Sequence, residues 1–132
     1  MNATAIKAYL EERAYDASIY ITVDSMEYLK KGGRVTPAAA TFATVLNLKP
    51  VLTIQGDKLD TFAKARGMQQ AELKMIEAIK KDRATRFANV PDELLRVETA
   101  GTFENDEKAK RWRKMVQAEF PGIKVSYATC PA

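Results

Sequence analysis

Residues 4 to 15 carry Ile6, Leu10 and Ala14 at helical spacing, with Lys7, Glu11 and Glu12 on the other sides, which predicts an amphipathic helix. From Ala17 to Val23 the period changes to two. Ile19, Ile21 and Val23 alternate with Ser18, Tyr20 and Thr22, as in a strand with one buried face. Asp24 and Glu27 have capping-box spacing and predict a short helix from Ser25 to Lys31, stopped by Gly32 and Gly33. Thr36-Pro37 opens another helix, with threonine as the cap and proline in the first turn, and its core stripe is Ala38, Phe42, Val45 and Leu46. Lys49-Pro50 ends that helix, because the residue before a proline is pushed out of the α region.

The second half continues the alternation of strands and helices. Val51 to Ile54 is a short apolar strand, Gln55-Gly56-Asp57 a turn, and Leu59 to Ala65 the returning hairpin strand, with Asp60, Phe62, Lys64 and Arg66 expected on one face. Gly67 closes it. Met68, Ala71, Met75, Ile76 and Ile79 then mark a long helix reaching to about Phe87, with a basic C-terminal end. Leu94 to Thr99 reads as a strand, and Asn105-Asp106 opens a helix that turns Ala109, Trp112, Val116 and Phe120 inward. Pro121-Gly122 terminates it before a last strand at Ile123 to Ala128. This order predicts one α/β domain of the α+β type over residues 1–132: two layers, a mixed or largely antiparallel sheet covered by helices, with Trp112 anchoring the last helix.

Composition narrows what such a domain does. Its 46% apolar and 29% charged residues suit a folded core, and 132 residues suit one domain. The most apolar stretch, Ala38 to Leu48, falls short of the roughly 20 residues a bilayer span requires, so no stable membrane insertion is expected. No signal-peptide pattern opens the chain, and the lone Cys130 has no internal disulfide partner, which together predict a cytoplasmic protein. Histidine is absent, so triads built on it are excluded within this chain. With no histidine and no paired nucleophile and base, no catalytic constellation is visible in this chain, and no metal or cofactor is expected. The net charge of +4 is enough to steer anions, yet no groove-reading motif accompanies it, and nucleic acid is not expected as a partner.

Two short segments carry candidate chemistry. In Lys31-Gly32-Gly33-Arg34 a helix end and two glycines deliver a guanidinium, whose planar fork suits a carboxylate or phosphate. The same residues also read as a double-glycine helix cap with Arg34 covering the last carbonyls. In Lys64-Ala65-Arg66-Gly67 a cation ends a strand ahead of a glycine, and taken alone the segment reads first as a solvated charged face paired with Asp60.

Taken together, the run from Ile19 to Val35, which contains Val23-Asp24-Ser25-Met26-Glu27-Tyr28-Leu29-Lys30-Lys31-Gly32-Gly33-Arg34, then Leu46-Asn47-Leu48-Lys49-Pro50, then Lys64-Ala65-Arg66-Gly67, closely resembles the C-terminal lobe of the DegV family of bacterial fatty-acid-binding proteins. The resemblance implies a two-lobed protein that holds a long-chain fatty acid in a tunnel, tail buried and carboxylate near the lobe boundary. It also implies a carrier role, in which the carboxylate is offered to a separate fatty acid kinase that makes acyl phosphate for phospholipid synthesis. Arg34 and Arg66 fall at the family's two arginine motifs, associated with the ligand head and kinase docking, with Gly32, Gly33 and Gly67 as supporting loops. Phe42, Val45 and Leu46 are candidates for an acyl channel, and ordinary core is the competing reading.

The family's N-terminal lobe and its histidine and Gly-Pro-Gly segment, expected after Thr129-Cys130-Pro131, have no counterpart here. The chain is therefore expected to be a truncated lobe that binds palmitate-like acids weakly or not at all, with an unpaired sheet edge that invites homo-oligomers of the fragment. The alternative is a basic anion- or nucleic-acid-binding module using Arg34, Arg66, Lys80, Lys81, Arg83, Arg111 and Arg113.

Overall fold

The computed structural model describes residues 2–41, 47–55 and 58–129. The chain divides into two compact units, residues 1–79 and 80–132. The fold is a mixed α/β one of helices and antiparallel strands, with one parallel pair.

Unit one opens with helix α1, Ala3–Glu12, capped by Asn2, whose side chain accepts from the Ala5 N–H at 2.9 Å. The amphipathic pattern correctly marks the helix but not its burial: no residue of α1 is buried, and Ile6 and Leu10 are 44% and 60% exposed. Three strands follow, β1 (Tyr20–Thr22), β2 (Leu48–Gln55) and β3 (Lys58–Arg66), in the order β1-β2-β3 and all antiparallel. Between β1 and β2 lie α2, Glu27–Lys31, and α3, Pro37–Ala40. Met26, Val35, Ala39 and Leu52 form a buried cluster, joined by Val23, Leu29, Ala40 and Leu59, so the loop and helices between β1 and β2 cover the side of the sheet that carries Leu52.

Thr36 caps α3 as expected, accepting from the Ala39 N–H at 3.3 Å with Pro37 in the first turn. The buried alanine there is Ala39, while Ala38 is exposed; Phe42, Val45 and Leu46 lie outside the described residues. Asp24 does not cap α2. Met26 stands at the cap position without a side-chain cap bond, Ser25 Oγ accepts from the Glu27 N–H at 3.2 Å, and the Asp24 carboxylate is engaged by Lys49.

The face assignment on β3 needs correction. Val51 pairs with Ala63 but the adjacent Leu52 pairs with Thr61, so Phe62 is an extra residue, a β-bulge. Alternation along β2 is unbroken. Lys64 and Arg66, opposite Pro50 and Leu48, therefore share the side of Leu52, whereas Asp60, opposite Thr53, lies on the other. Phe62 meets the Tyr20 ring edge-on at 4.8 Å between centroids. The central residues Val51 and Leu52, on opposite faces, are both fully buried.

Helix α4, Met68–Ala84, runs across the boundary between the units and buries Ala71, Glu72, Met75, Ile76 and Ala78. Unit two is then a strand–helix–strand unit: β4 (Val97–Gly101), α5 (Asp106–Glu119) and β5 (Val125–Thr129), with β4 and β5 parallel. The described strands form two sheets where the sequence suggests one: β2 and β3 pair as an antiparallel hairpin, and β4 and β5 are parallel neighbours joined by the α5 crossover. Asn105 caps α5 at 3.0 Å, and Ala109, Trp112 and Val116 are buried on it as expected. The Gln117 side chain stitches α5 to β5, donating to the Phe120 and Ile123 carbonyls at 2.9 and 2.8 Å and accepting from the Val125 N–H at 3.0 Å.

Candidate functional site

The motif residues of unit one gather at the two ends of its sheet. At one end, Gly32 closes α2 and Gly33 adopts a φ of 64°, a left-handed conformation that glycine takes without penalty. That turn brings Arg34 and Val35 against the edge of β3. The Leu59 N–H donates to the Arg34 carbonyl at 3.0 Å and the Thr36 N–H to the Leu59 carbonyl at 3.0 Å, so the chain adds a one-bridge parallel edge there. The Arg34 backbone is thereby fixed, while its side chain is exposed.

Asp60 stands beside this loop. Its carboxylate accepts from Thr36 Oγ1 at 2.8 Å and from the Thr61 N–H at 2.8 Å. The Thr36 hydroxyl first, and the Thr61 amide second, hold its carboxyl below the usual carboxylate range, because both donors favour the charged form. Beside it, the Thr61 hydroxyl is buried without a hydrogen-bond partner among the described residues.

At the other end Arg66 precedes Gly67, whose φ is 84° and whose N–H donates to the Asn47 carbonyl at 3.3 Å. Asn47 itself has a φ of 59°, a conformation that asparagine tolerates better than most residues. The Arg66 N–H donates to Gln70 Oε1 at 2.6 Å, which leaves its exposed side chain as the outward cation of the corner. Next to it, Lys49 reaches back to Asp24, donating to its carbonyl at 2.6 Å and to its carboxylate at 3.0 Å. The Lys49 side chain is 19% exposed and that of Asp24 90%, so a mostly covered lysine meets a solvated carboxylate, and the bond to the Asp24 carbonyl fixes the geometry more than the charge pair does. Thr22 adds a bond from its hydroxyl to the Pro50 carbonyl at 3.0 Å, just where β2 has run past the last rung of β1.

The Asp24, Lys49 and Arg66 motifs, distant in sequence, therefore converge on one corner. The two arginines do not converge. Arg34 is anchored at Leu59 and Arg66 ends the same strand, so their backbones are separated by roughly 20 Å of strand at the usual rise per residue. Sequence reading assigns Asp24 and Thr36 capping roles, Lys49 a place in a helix stop and Asp60 a pairing with the Arg66 face, but it does not join Lys49 to Asp24 or Thr36 to Asp60. Their signal was the placement of a lysine before proline and of a cap before a helix, and their partners lie 25 and 24 positions away, beyond any local pattern.

In unit two, surface depressions of about 450 and 480 Å³ lie on α5 and around Arg96, Ile123, Lys124 and Ser126, and neither includes Arg34 or Arg66. Among the described residues no cluster of His, Cys, Asp and Glu could hold a metal ion, and no helix is long and apolar enough to cross a membrane.

This chain is similar to known proteins in sequence over much, and in fold over nearly all, of its own length. The family model described as "Uncharacterised protein, DegV family" matches residues 1–130. A DegV domain-containing protein of Streptomyces coelicolor is 38% identical over 74 residues, 56% of this chain and 26% of that protein. The structure of a fatty-acid-binding DegV family protein from Thermus thermophilus superposes with a TM-score of 0.69 at 27% identity, covering 98% of this chain and 44% of that one. The fatty acid kinase (Fak) B3 protein of Streptococcus pneumoniae, loaded with linoleic acid, superposes at 0.62 with 19% identity over 96% of this chain and 41% of that one. The chain thus spans less than half the length of each of these relatives. With the glycine-arginine loop, the Lys49-Pro50 strand and the Arg66-Gly67 corner all in place, and the family match running through nearly every residue, the chain belongs to the DegV family.

Proposed function

We propose that this chain is the C-terminal lobe of a cytoplasmic fatty-acid carrier, which buries an acyl chain and leaves the carboxylate within reach of a separate fatty acid kinase. The observation that carries this reading is the likeness to the fatty-acid-binding Thermus protein over 98% of the chain. A carrier divides its work physically: the tail supplies affinity through burial, and the head stays accessible for transfer. The kinase step draws support from the shared fold with the Fak B3 protein and from the two exposed arginines at the ends of β3.

Those arginines stand at opposite ends of one strand, and we assign them different contacts, one at the carboxylate and one at the kinase surface. Charge building up as phosphate reaches the carboxylate is offset by the first, and an acidic kinase surface is drawn by the second. Gly32, Gly33 and Gly67 shape the loops that present them, and Phe42, Val45 and Leu46 remain the proposed channel lining.

The test uses this segment within a protein of the family's full length. Mass spectrometry of lipid that co-purifies with it should find a long-chain fatty acid near one per protein, and lipid-free protein that also fails to take up palmitate would overturn the assignment. Arg34→Ala and Arg66→Ala should then separate. One should release the acid about tenfold more readily, and the other should keep it while acyl phosphate production falls about tenfold. If both variants behave as the parent in both assays, the arginine roles are wrong even where the acid is bound.

A further inference from the structure

The outward face of α5 is not used by anything described above. Its inward arc is spent on unit two, with Ala109, Trp112 and Val116 buried. On the opposite arc stand Lys110, Arg111 and Lys114, all exposed and adjacent at helical spacing, with Arg113 on the flank. Lys110 lies 3.6 Å from Glu107, and Arg111 donates to Met115 Sδ at 2.9 Å, which lays its side chain along the helix. Among the described residues Arg113 and Lys114 have no carboxylate at ion-pair distance. The three cations, Glu107 and Met115 surround a shallow depression of about 450 Å³.

We propose that this face is a docking surface for an acidic segment of a partner protein, a helix or strand presenting carboxylates at a spacing that meets Lys110, Arg111 and Lys114. Three observations select that partner over other polyanions. Trp112 is buried, so no aromatic platform is offered to unpaired bases. The apolar arc is likewise occupied, so the helix has no stripe to lower into a bilayer, and its charges alone make a weak lipid anchor. Glu107 and Asp106 place negative charge at the head of the same helix. A uniform phosphate surface is repelled there, whereas a protein segment with carboxylates in the middle and a neutral or basic end matches the pattern. The surface lies wholly within residues 80–132 and does not depend on the fatty-acid reading.

The test is fluorescence anisotropy of the full chain with a labelled helical peptide carrying glutamates at i, i+3, i+4 and i+7. Binding should weaken about tenfold in Lys110→Glu/Lys114→Glu. It should change less than about twofold in Lys30→Glu/Lys58→Glu, which carries the same net charge. Circular dichroism checks that each variant folds, and Lys110→Gln/Lys114→Gln replaces the reversal if it does not. Equal losses in the two charge-matched variants, no binding by the parent, or tighter binding of phosphatidylglycerol vesicles or a DNA duplex through the same lysines would each overturn the proposal.

Discussion

Gly33 shows how a single residue directs a loop. An added Cβ there would meet nothing within 4 Å, so the cost of Gly33→Ala is backbone strain alone, arising from its φ of 64°. Denaturant unfolding should register a loss of about 1–2 kcal/mol. Asp60 makes a second case. Its native carboxyl binds a proton less readily than in the unfolded chain, so the unfolded state takes up more protons as the solution is acidified. The stability linked to Asp60 is therefore present above the ordinary carboxylate range and drains away as pH falls through the native value. Thr36→Val removes the main donor, and an NMR titration should then find the Asp60 pKa moved back upward, with a shallower acid-side loss of stability. An unmoved titration would assign the effect to the Thr61 amide instead. At this scale the sequence was readable where chemistry is local, as in the cap at Thr36, the cap at Asn105 and the glycines after Lys31. It was opaque where the partner is remote, which is why Asp24 looked like a cap when Lys49 already holds it.

Among the elements, α5 answers most directly to its pattern. Its inward positions Ala109, Trp112 and Val116 are buried, and Phe120 just beyond is 6% exposed. Trp112→Ala should destabilise the protein by about 3–5 kcal/mol, the usual cost of emptying a buried tryptophan site, measured by urea unfolding followed by circular dichroism. A loss under about 1 kcal/mol would mean that the ring is not an anchor. Strand β3 is the counterexample. Its residues alternate between exposed and part-buried without a break, and that rhythm misassigned Lys64 and Arg66 to the side of Asp60. Periodicity reports which residues are covered; it is silent on which layer covers them, and a bulge changes the layer without disturbing the rhythm. Helix α1 fails in a related way: its apolar spacing is genuine, but spacing alone does not say that a partner is present.

For the whole molecule, the α/β class and the family were legible because three motif segments had to occur in order, and each proves to occupy a defined structural position. The division of the strands between two sheets was not, since hydrophobic pattern carries no information about strand direction. The fatty-acid reading makes a quantitative claim at this scale. If the tail supplies the affinity, lengthening the acid should tighten binding to the full-length protein by up to about fourfold per methylene, until the tunnel is filled. Calorimetry across a series from octanoate to stearate checks this, and an affinity independent of chain length would point to recognition of the carboxylate alone.

The bulge at Phe62 leaves β3 one residue longer than its ladder with β2 requires. A chain shortened at that point keeps every remaining rung and still holds the terminal guanidinium where it is. One shortened between Lys64 and Arg66 instead carries the lysine through the plane of the sheet, into space now filled by alanine. Tolerance to deletion along this strand is accordingly concentrated at a single aromatic residue, and variation in length is expected to gather there.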